Sequence, residues 1–337
     1  DIMLHGGCDV IIGTPPYVQW RGANTEYAVL KYRTETCRNL YAYTFERALA
    51  LLREDGRCGL IVPTASVATE SMKALQDLYL PHAQWHSHFA VRPGKLFAGV
   101  DMNLTISLIL KTGPPSQMST TYHRWSARTD DERNTLFSRL SYLRLNYTSA
   151  QKHVSDNPKF GWPVELAIIT KMLGYGYRLQ DFYSSTNAAN LYCHSGGRYW
   201  RKALMEKLSS HYKHVPVHES HLPQAFCLLN SQLFYWYWIT NSNCMDVVAR
   251  EMDMLPTFDL HVDDIRFSHL HGQLLSSYYA SVELRERRGE IISTEEFNFD
   301  VGKSKPIIDE IDRVLAEHYG FTDEELDFII NYDIKYR

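Results

Sequence analysis

The sequence lacks any apolar run approaching the ~20 residues that a membrane-spanning helix needs, so no membrane partner is expected. It also lacks a C-x-x-C pair. Its six cysteines, Cys8, Cys37, Cys58, Cys193, Cys227 and Cys244, are scattered along 337 residues. That usage reads as reduced thiols of a cytoplasmic protein and excludes a disulfide scaffold. A basic excess is missing as well: the net charge is −4, so no global field advertises a nucleic-acid partner, and one would have to sit in a local basic groove. Internal repeats and low-complexity stretches are absent. The opening run DIMLHGGCDV has neither a basic n-region nor a signal-peptide core, and it begins without Met directly ahead of a strand-like segment. A missing upstream portion is therefore expected.

What is present is enough for a packed core: 45% hydrophobic and 22% charged residues exclude global disorder. Aromatics reach 13%, with 22 tyrosines, a content that suits a core and also surfaces on which bases stack. Residues 8–12 (CDVII) read as a buried strand ended by Gly13, Pro15 and Pro16. Residues 41–53 place Phe45, Ala48, Leu49 and Leu52 at helical spacing, with Glu54-Asp55-Gly56 as the stop. Residues 58–62 (CGLIV) are a second strand closed by Pro63. A helix is expected over 67–79, and further strands at His88–Val91 and Leu104–Lys111. Gly113-Pro114-Pro115 marks a boundary. This alternation predicts an α/β sheet in residues 1–112.

Beyond 113 the pattern suggests an α+β domain, with segments at Tyr122–Ser126, 165–173 and 198–208. Residues 226–238 (FCLLNSQLFYWYW) read as one core helix. Lys305–Tyr319 and the helix capped by Thr322 form a helical tail. The expected domains are 1–112, 113–302 and 303–337.

The chemistry is carried by Gly13-Thr14-Pro15-Pro16-Tyr17-Val18, delivered to the carboxyl end of a strand, where open α/β sheets build ligand sites. Consecutive prolines stiffen the loop, the Pro15 carbonyl is an acceptor, and Tyr17 supplies a flat ring. The order of strand, Pro-Pro-Tyr, amphipathic helix, Asp-Gly turn and strand ending Ile-Val-Pro resembles the gamma-class amino methyltransferases that act on adenine in DNA. The resemblance continues through Arg92-Pro93-Gly94-Lys95-Leu96-Phe97-Ala98-Gly99-Val100, Asn103–Leu110, Asn230–Trp236 and Tyr319–Asp333. It points to the large methylases of restriction and phage-defence systems, in which a catalytic domain precedes a target-recognition domain.

The resemblance implies a partial Rossmann-like methyltransferase sheet followed by an α+β recognition domain and C-terminal helices. It implies methyl transfer from S-adenosylmethionine to the N6 amine of an adenine flipped out of duplex DNA. Thr14 and the Pro15 carbonyl, in a catalytic loop completed by Pro16 and Tyr17, would accept the amine protons and free its lone pair. Tyr17 and Phe97 would hold the base between two aromatic faces; the plain alternative for Phe97 is core packing. Position 14 carries Thr where the family carries Asn, Asp or Ser, and a Thr hydroxyl is shorter and β-branched.

The cofactor-binding loop is expected upstream of Asp1. Gly6-Gly7 precedes a strand, not a helix, and Gly174-Tyr175-Gly176 has no strand–helix setting. The chain thus reads as the C-terminal part of a methyltransferase, with a missing N-terminal half or a partner subunit. Two further readings stand beside it: a non-catalytic DNA-recognition module of a defence complex, and a protein or RNA methyltransferase using the same loop.

Arg198, Tyr199, Trp200, Arg201 and Lys202 cluster cations with aromatics and are the candidate DNA contacts, with Arg124, Lys152 and Lys171 as possible extensions. Their bland reading is a solvated basic face. No metal site is expected: His211, His214, His218 and His221 lack zinc spacing and read as an exposed connector. Asp130-Asp131-Glu132 reads as a helix start, and Asp263-Asp264 and Arg285–Arg288 as solvated faces.

Overall fold

The computed structural model describes residues 6–20, 31–126, 130–145, 157–196, 202–288 and 293–336. By compactness the chain divides into two units. One comprises Asp1–Pro163 with Ile239–Cys244, the other Val164–Trp238 with Met245–Arg337.

The first unit is built on a six-stranded mixed sheet. In chain order it contains β1 (Cys8–Gly13), α1 (Leu40–Leu51), β2 (Leu52–Pro63), α2 (Ala65–Ala68), α3 (Lys73–Tyr79), β3 (Ala83–Phe89), β4 (Leu104–Leu110), β5 (Ser116–His123), α4 (Asp130–Asn134) and β6 (Leu143–Leu145). The spatial order is β1-β2-β4-β3-β5-β6. β1 runs parallel to β2 and β3 parallel to β5, while β4 lies antiparallel between β2 and β3. The carboxyl ends of β1, β2, β3 and β5 therefore share one edge of the sheet.

Alternation decides which residues face the helices. Cys58, Leu60, Val62 and Ile109 point to the side where Tyr41, Phe45, Ala48 and Leu49 of α1 and Leu75, Leu78 and Tyr79 of α3 close the core. Ile11 packs against that core, but its neighbours Val10 and Ile12 are 56% and 78% exposed. The CDVII segment is thus a strand as expected but an edge strand rather than a buried one.

α1 ends at Leu51, and β2 starts at once, carrying Glu54-Asp55-Gly56 within the strand; the expected stop is not what ends the helix. The expected helix over 67–79 is divided: α2, a 3₁₀ turn at Glu70–Met72, then α3. β3 begins at Ala83, five residues before the expected start at His88. The sequence hides it because its helix-facing residues are Gln84, His86 and His88, not aliphatics. They are buried and satisfied. His86 Nε2 lies 2.8 Å from Gln84 Oε1 and Nδ1 2.9 Å from Ser107 Oγ; His88 Nδ1 lies 3.0 Å from Thr105 Oγ1. Burial lowers the His86 pKa to about 3 and that of His88 well below the ordinary value, so both rings are neutral. The turn at Gly113-Pro114-Pro115 does not close the sheet. It leads into β5, whose residues Ala83–Phe89 of β3 accept as a parallel neighbour.

The second unit is α+β. It contains α5 (Pro163–Gly174), β7 (Tyr177–Arg178), β8 (Tyr192–His194), β9 (Ala203–Leu204), β10 (Tyr212–His214), α6 (Leu222–Asn230), α7 (from Gln232), α8 (Ala249–Asp253), β11 (Pro256–Thr257), α9 (Ile265–Ala280), β12 (Val282–Arg288), β13 (Ser293–Phe299), α10 (Lys305–Tyr319) and α11 (Asp323–Asn331). Residues 226–238 are buried as expected but break into two helices at Ser231. The fully buried Asp312 carboxylate accepts from the Gln232 and Leu233 amides, each at 3.1 Å, and so caps the second helix. Gly320 closes α10 at φ +68°, and Thr322 with Glu325 forms the capping box that starts α11. No helix among the described residues is long and apolar enough to cross a membrane.

Candidate functional site

The Thr14–Tyr17 loop leaves β1 at the carboxyl edge of the first unit's sheet. Thr14 and Pro16 are exposed and Pro15 is buried. The Thr14 hydroxyl has no partner among the described residues, so it is free to accept or donate. Tyr17 packs its half-buried ring against the core, and its hydroxyl donates to the Ile61 carbonyl of β2 at 2.9 Å. Burial pushes its pKa up to about 12, which keeps the phenol protonated and the donation intact. The ring is therefore anchored at its tip, not free to swing.

Phe97 lies on the connection that leaves β3 at the same edge. It is 38% exposed, so it is not the core residue of its plain alternative. β1 and β3 are three strand positions apart, roughly 14 Å at ordinary strand spacing. The loop carrying Phe97 is fastened from below. The Arg133 guanidinium donates to the carbonyls of Lys95 and Leu96 at 3.2 and 2.9 Å, and lies 5.4 Å from the centroid of the Trp125 ring. The Gly94 amide donates to the Trp125 carbonyl at 2.7 Å.

Asn103, immediately ahead of β4, ties the edge together. Its Oδ1 accepts from the Val91 amide at 3.0 Å and the Tyr122 hydroxyl at 2.8 Å. Its Nδ2 donates to the carbonyls of Asn243 and Cys244 at 2.9 and 3.2 Å, and its own carbonyl accepts from the Thr64 amide at 2.9 Å. Asn103 and Arg133 were not among the residues expected from sequence. The available signal was a lone amide side chain introducing an otherwise apolar strand.

Neither glycine pair is set as a nucleotide-binding turn. Gly6 and Gly7 have positive φ, but Gly7 feeds β1, and a Cβ there would meet the Leu51 carbonyl oxygen at 2.6 Å. That glycine serves close backbone packing. Gly174 and Gly176 merely close α5.

Of the expected DNA contacts, Arg198, Tyr199, Trp200 and Arg201 lie outside the described residues, as does Lys152. Lys202 is partly buried, with its ammonium 5.0 Å from the centroid of the Phe299 ring. Lys171 is engaged within its own unit, donating to Glu325 Oε2 at 2.7 Å and to the Gly320 carbonyl at 2.9 Å. Arg124 sits over the Tyr122 ring at 5.6 Å. The described residues hold no group of metal-ligating side chains, and the six cysteines form no disulfide with one another. Of the four histidines read as an exposed connector, His221 is buried. Asp264 is not a solvated face either. Its side chain is 13% exposed, pairs with Arg266 at 2.7 Å and His318 at 3.0 Å, and caps α9 through the Arg266 amide.

Residues 1–97 match the family model of the Eco57I restriction-modification methylase. No curated protein matches the chain. Among solved structures, the chain is similar to the type IIL restriction-modification enzyme MmeI in complex with DNA. The identity is 11% and the TM-score 0.51, over 96% of this chain and 56% of that one. It also matches a modification subunit of a putative type I restriction enzyme from Vibrio vulnificus YJ016 at 13% identity and TM-score 0.31, over 45% of this chain and 38% of that one. A nuclease-deletion mutant of the type ISP enzyme LlaGI with a DNA substrate mimic matches at 13% identity and TM-score 0.34, over 55% and 17%. The chain thus spans little more than half of MmeI and less of the others. At these identities the likeness to MmeI speaks to the fold.

Proposed function

We propose that this chain is the target-binding portion of a restriction-modification DNA methyltransferase that modifies the N6 amine of adenine. The reading rests on one coincidence: the Gly-Thr-Pro-Pro-Tyr loop sits at the carboxyl edge of the sheet, inside the stretch matched by the restriction-modification methylase family. Adenine's exocyclic nitrogen is a poor nucleophile because its lone pair is delocalised into the ring. Two acceptors that take its protons free that pair. Thr14 Oγ1 and the Pro15 carbonyl are the acceptors, and the anchored Tyr17 ring gives an extruded base a fixed face to stack on. Phe97, on the Arg133-fastened loop, is the second face.

The methyl donor is S-adenosylmethionine, held by an N-terminal half or partner subunit. That partner would add strands beside β1, whose outer residues Val10 and Ile12 are exposed and whose outer backbone edge has no neighbouring strand among the described residues. Residues 198–202 are the proposed DNA contacts of the second unit, and the complex works in the cytoplasm of a restriction-modification or phage-defence system.

The test is tritiated-methyl incorporation into duplex DNA by the chain joined to a cofactor-binding half. Thr14→Asn should raise the rate, up to about a hundredfold for one transition-state hydrogen bond of roughly 3 kcal/mol. Tyr17→Ala should depress it by weakening capture of the flipped base. Equal rates for the parent and Thr14→Asn would mean that the hydroxyl already suffices or that another group accepts the proton, and would refute the expected gain. A second reading, a non-catalytic DNA-recognition module, is favoured by Thr14 standing where the family carries Asn, Asp or Ser. DNA binding without methyl transfer in all three proteins would establish it.

A further inference from the structure

A cavity of about 510 Å³ opens in the second unit between residues 220–224 and the 260–268 segment that leads into α9. Its lining mixes apolar walls (Pro223, Leu260, Val262, Ile265) with Ser220, His221, Gln224, His261, Asp263 and Asp264. The polar groups are one-sided in a specific way: their protons are already spent on the protein. Gln224 is 7% exposed; its Nε2 donates to the Val262 carbonyl at 2.9 Å, and its Oε1 is buried with no hydrogen-bond partner. His221 Nδ1 lies 3.1 Å from the Leu260 carbonyl, which can only accept, so the neutral ring carries its proton there and Nε2 presents a lone pair. The nearest group to that lone pair is the Ser220 hydroxyl at 3.4 Å, which lies closer, at 2.8 Å, to His218 Nδ1. His261 Nδ1 donates to Asp259 Oδ1 at 2.7 Å.

The charge is one-sided too. Arg266, next in sequence to the lining residue Ile265, is bound by Asp264 and Glu317 at 2.7 Å each. The exposed Asp263 carboxylate pairs with nothing among the described residues, and Asp259, paired with the lining residue His261, adds a second carboxylate. Such a surface repels phosphate and attracts a cation that brings its own N–H donors.

We propose that this cavity is a binding site for an alkyl cation of the guanidinium or primary-ammonium type, in which donors meet Gln224 Oε1, His221 Nε2 and Asp263 while the alkyl stem lies against Ile265 and Pro223. A free polyamine and a basic side chain of a partner protein share this chemistry. The site is independent of the methyl-transfer reading, because it uses no residue of the Pro-Pro-Tyr loop.

Isothermal titration of the 337-residue chain with agmatine tests it. Saturable binding is expected, weakened about tenfold or more by Asp263→Asn and by Gln224→Met, since each removes one acceptor for a charge-assisted hydrogen bond. Asp263 is exposed, so its variant tests the site even where Gln224→Met fails to fold. N-acetylargininamide is the second ligand: binding equal to that of agmatine assigns the site to a basic side chain, and binding of agmatine and putrescine alone assigns it to a polyamine. Absence of saturable binding at millimolar agmatine, or affinity unchanged in Asp263→Asn, overturns the proposal.

Discussion

Asn103→Ala should unfasten the carboxyl edge of the sheet on which the Pro-Pro-Tyr loop depends. Asn103 is 3% exposed, and its side chain answers two donors, the Val91 amide and the Tyr122 hydroxyl, and two acceptors, the carbonyls of Asn243 and Cys244. Alanine leaves all four without that partner. An unsatisfied buried donor costs about 1–3 kcal/mol, and carbonyls with a second lone pair lose less, so the total is about 3–5 kcal/mol. Against a typical stability of about 5–15 kcal/mol that is a large fraction. The assay is urea unfolding combined with hydrogen exchange at the Val91 amide, which should lose its protection in the variant. Asn103→Asp sharpens the test. It keeps Oδ1 but turns a carboxylate oxygen towards two carbonyls, so it should be at least as damaging at neutral pH. Its carboxyl pKa would be raised in the folded state, so the variant should regain stability relative to the parent as pH falls and the group protonates. A loss below about 1 kcal/mol for Asn103→Ala, with Val91 still protected, would refute the reasoning.

Arg133→Met should release the loop that presents Phe97 with little effect on global unfolding, because the guanidinium acts on two exposed-loop carbonyls; tryptic cleavage at Lys95 should accelerate, and an unchanged rate would refute the fastening role. His86 has its pKa depressed to about 3 by burial, below the ordinary 6.5. Between those values the unfolded chain binds a proton that the folded chain refuses, so stability should fall as pH drops from 6.5, by up to about 1.4 kcal/mol per unit for this ring. Unfolding free energies at pH 7 and pH 5 should show a shallower pH dependence in His86→Gln, and an identical slope would exclude the ring as its source.

The parts of the fold that could be read in the sequence were those whose residues report their own environment. β4 is a run of aliphatic and small residues ended by a Gly-Pro turn, and α10 and α11 carry their stop and start in Gly320 and Thr322. β3 was read only in part because its buried side is written in Gln84, His86 and His88. Those residues look solvated until Ser107, Thr105 and Ser119 are placed opposite them by the β3–β4 and β3–β5 pairings. The break at Ser231 depends on Asp312, about eighty residues away in sequence. α9 went unread although Phe267, Leu270, Leu274 and Tyr278 form a buried stripe, because histidine, serine and glutamine dilute it. At the candidate site the Pro-Pro-Tyr loop was visible and its support was not. The Tyr17 anchor is a backbone carbonyl, and Arg133 reaches its loop from beyond β5. A carbonyl has no letter in a sequence.

The placement of β4 has a consequence for synthesis and for protein engineering. The match to the methylase family model ends at residue 97, yet the strand that joins β2 to β3 begins at Leu104. While the nascent chain leaves the ribosome, α1 can cover β2 early, but β2 and β3 have no shared neighbour until Leu110 has emerged, and they wait as separate pieces. A fragment cut where that match stops would be frozen at that stage, with β2 lacking a neighbour on one side, β3 on both, and a helical layer lying on a divided sheet. Domain exchange in this chain should place its junction after β6 rather than at the end of the family-model match, since only there does the sheet leave no strand behind.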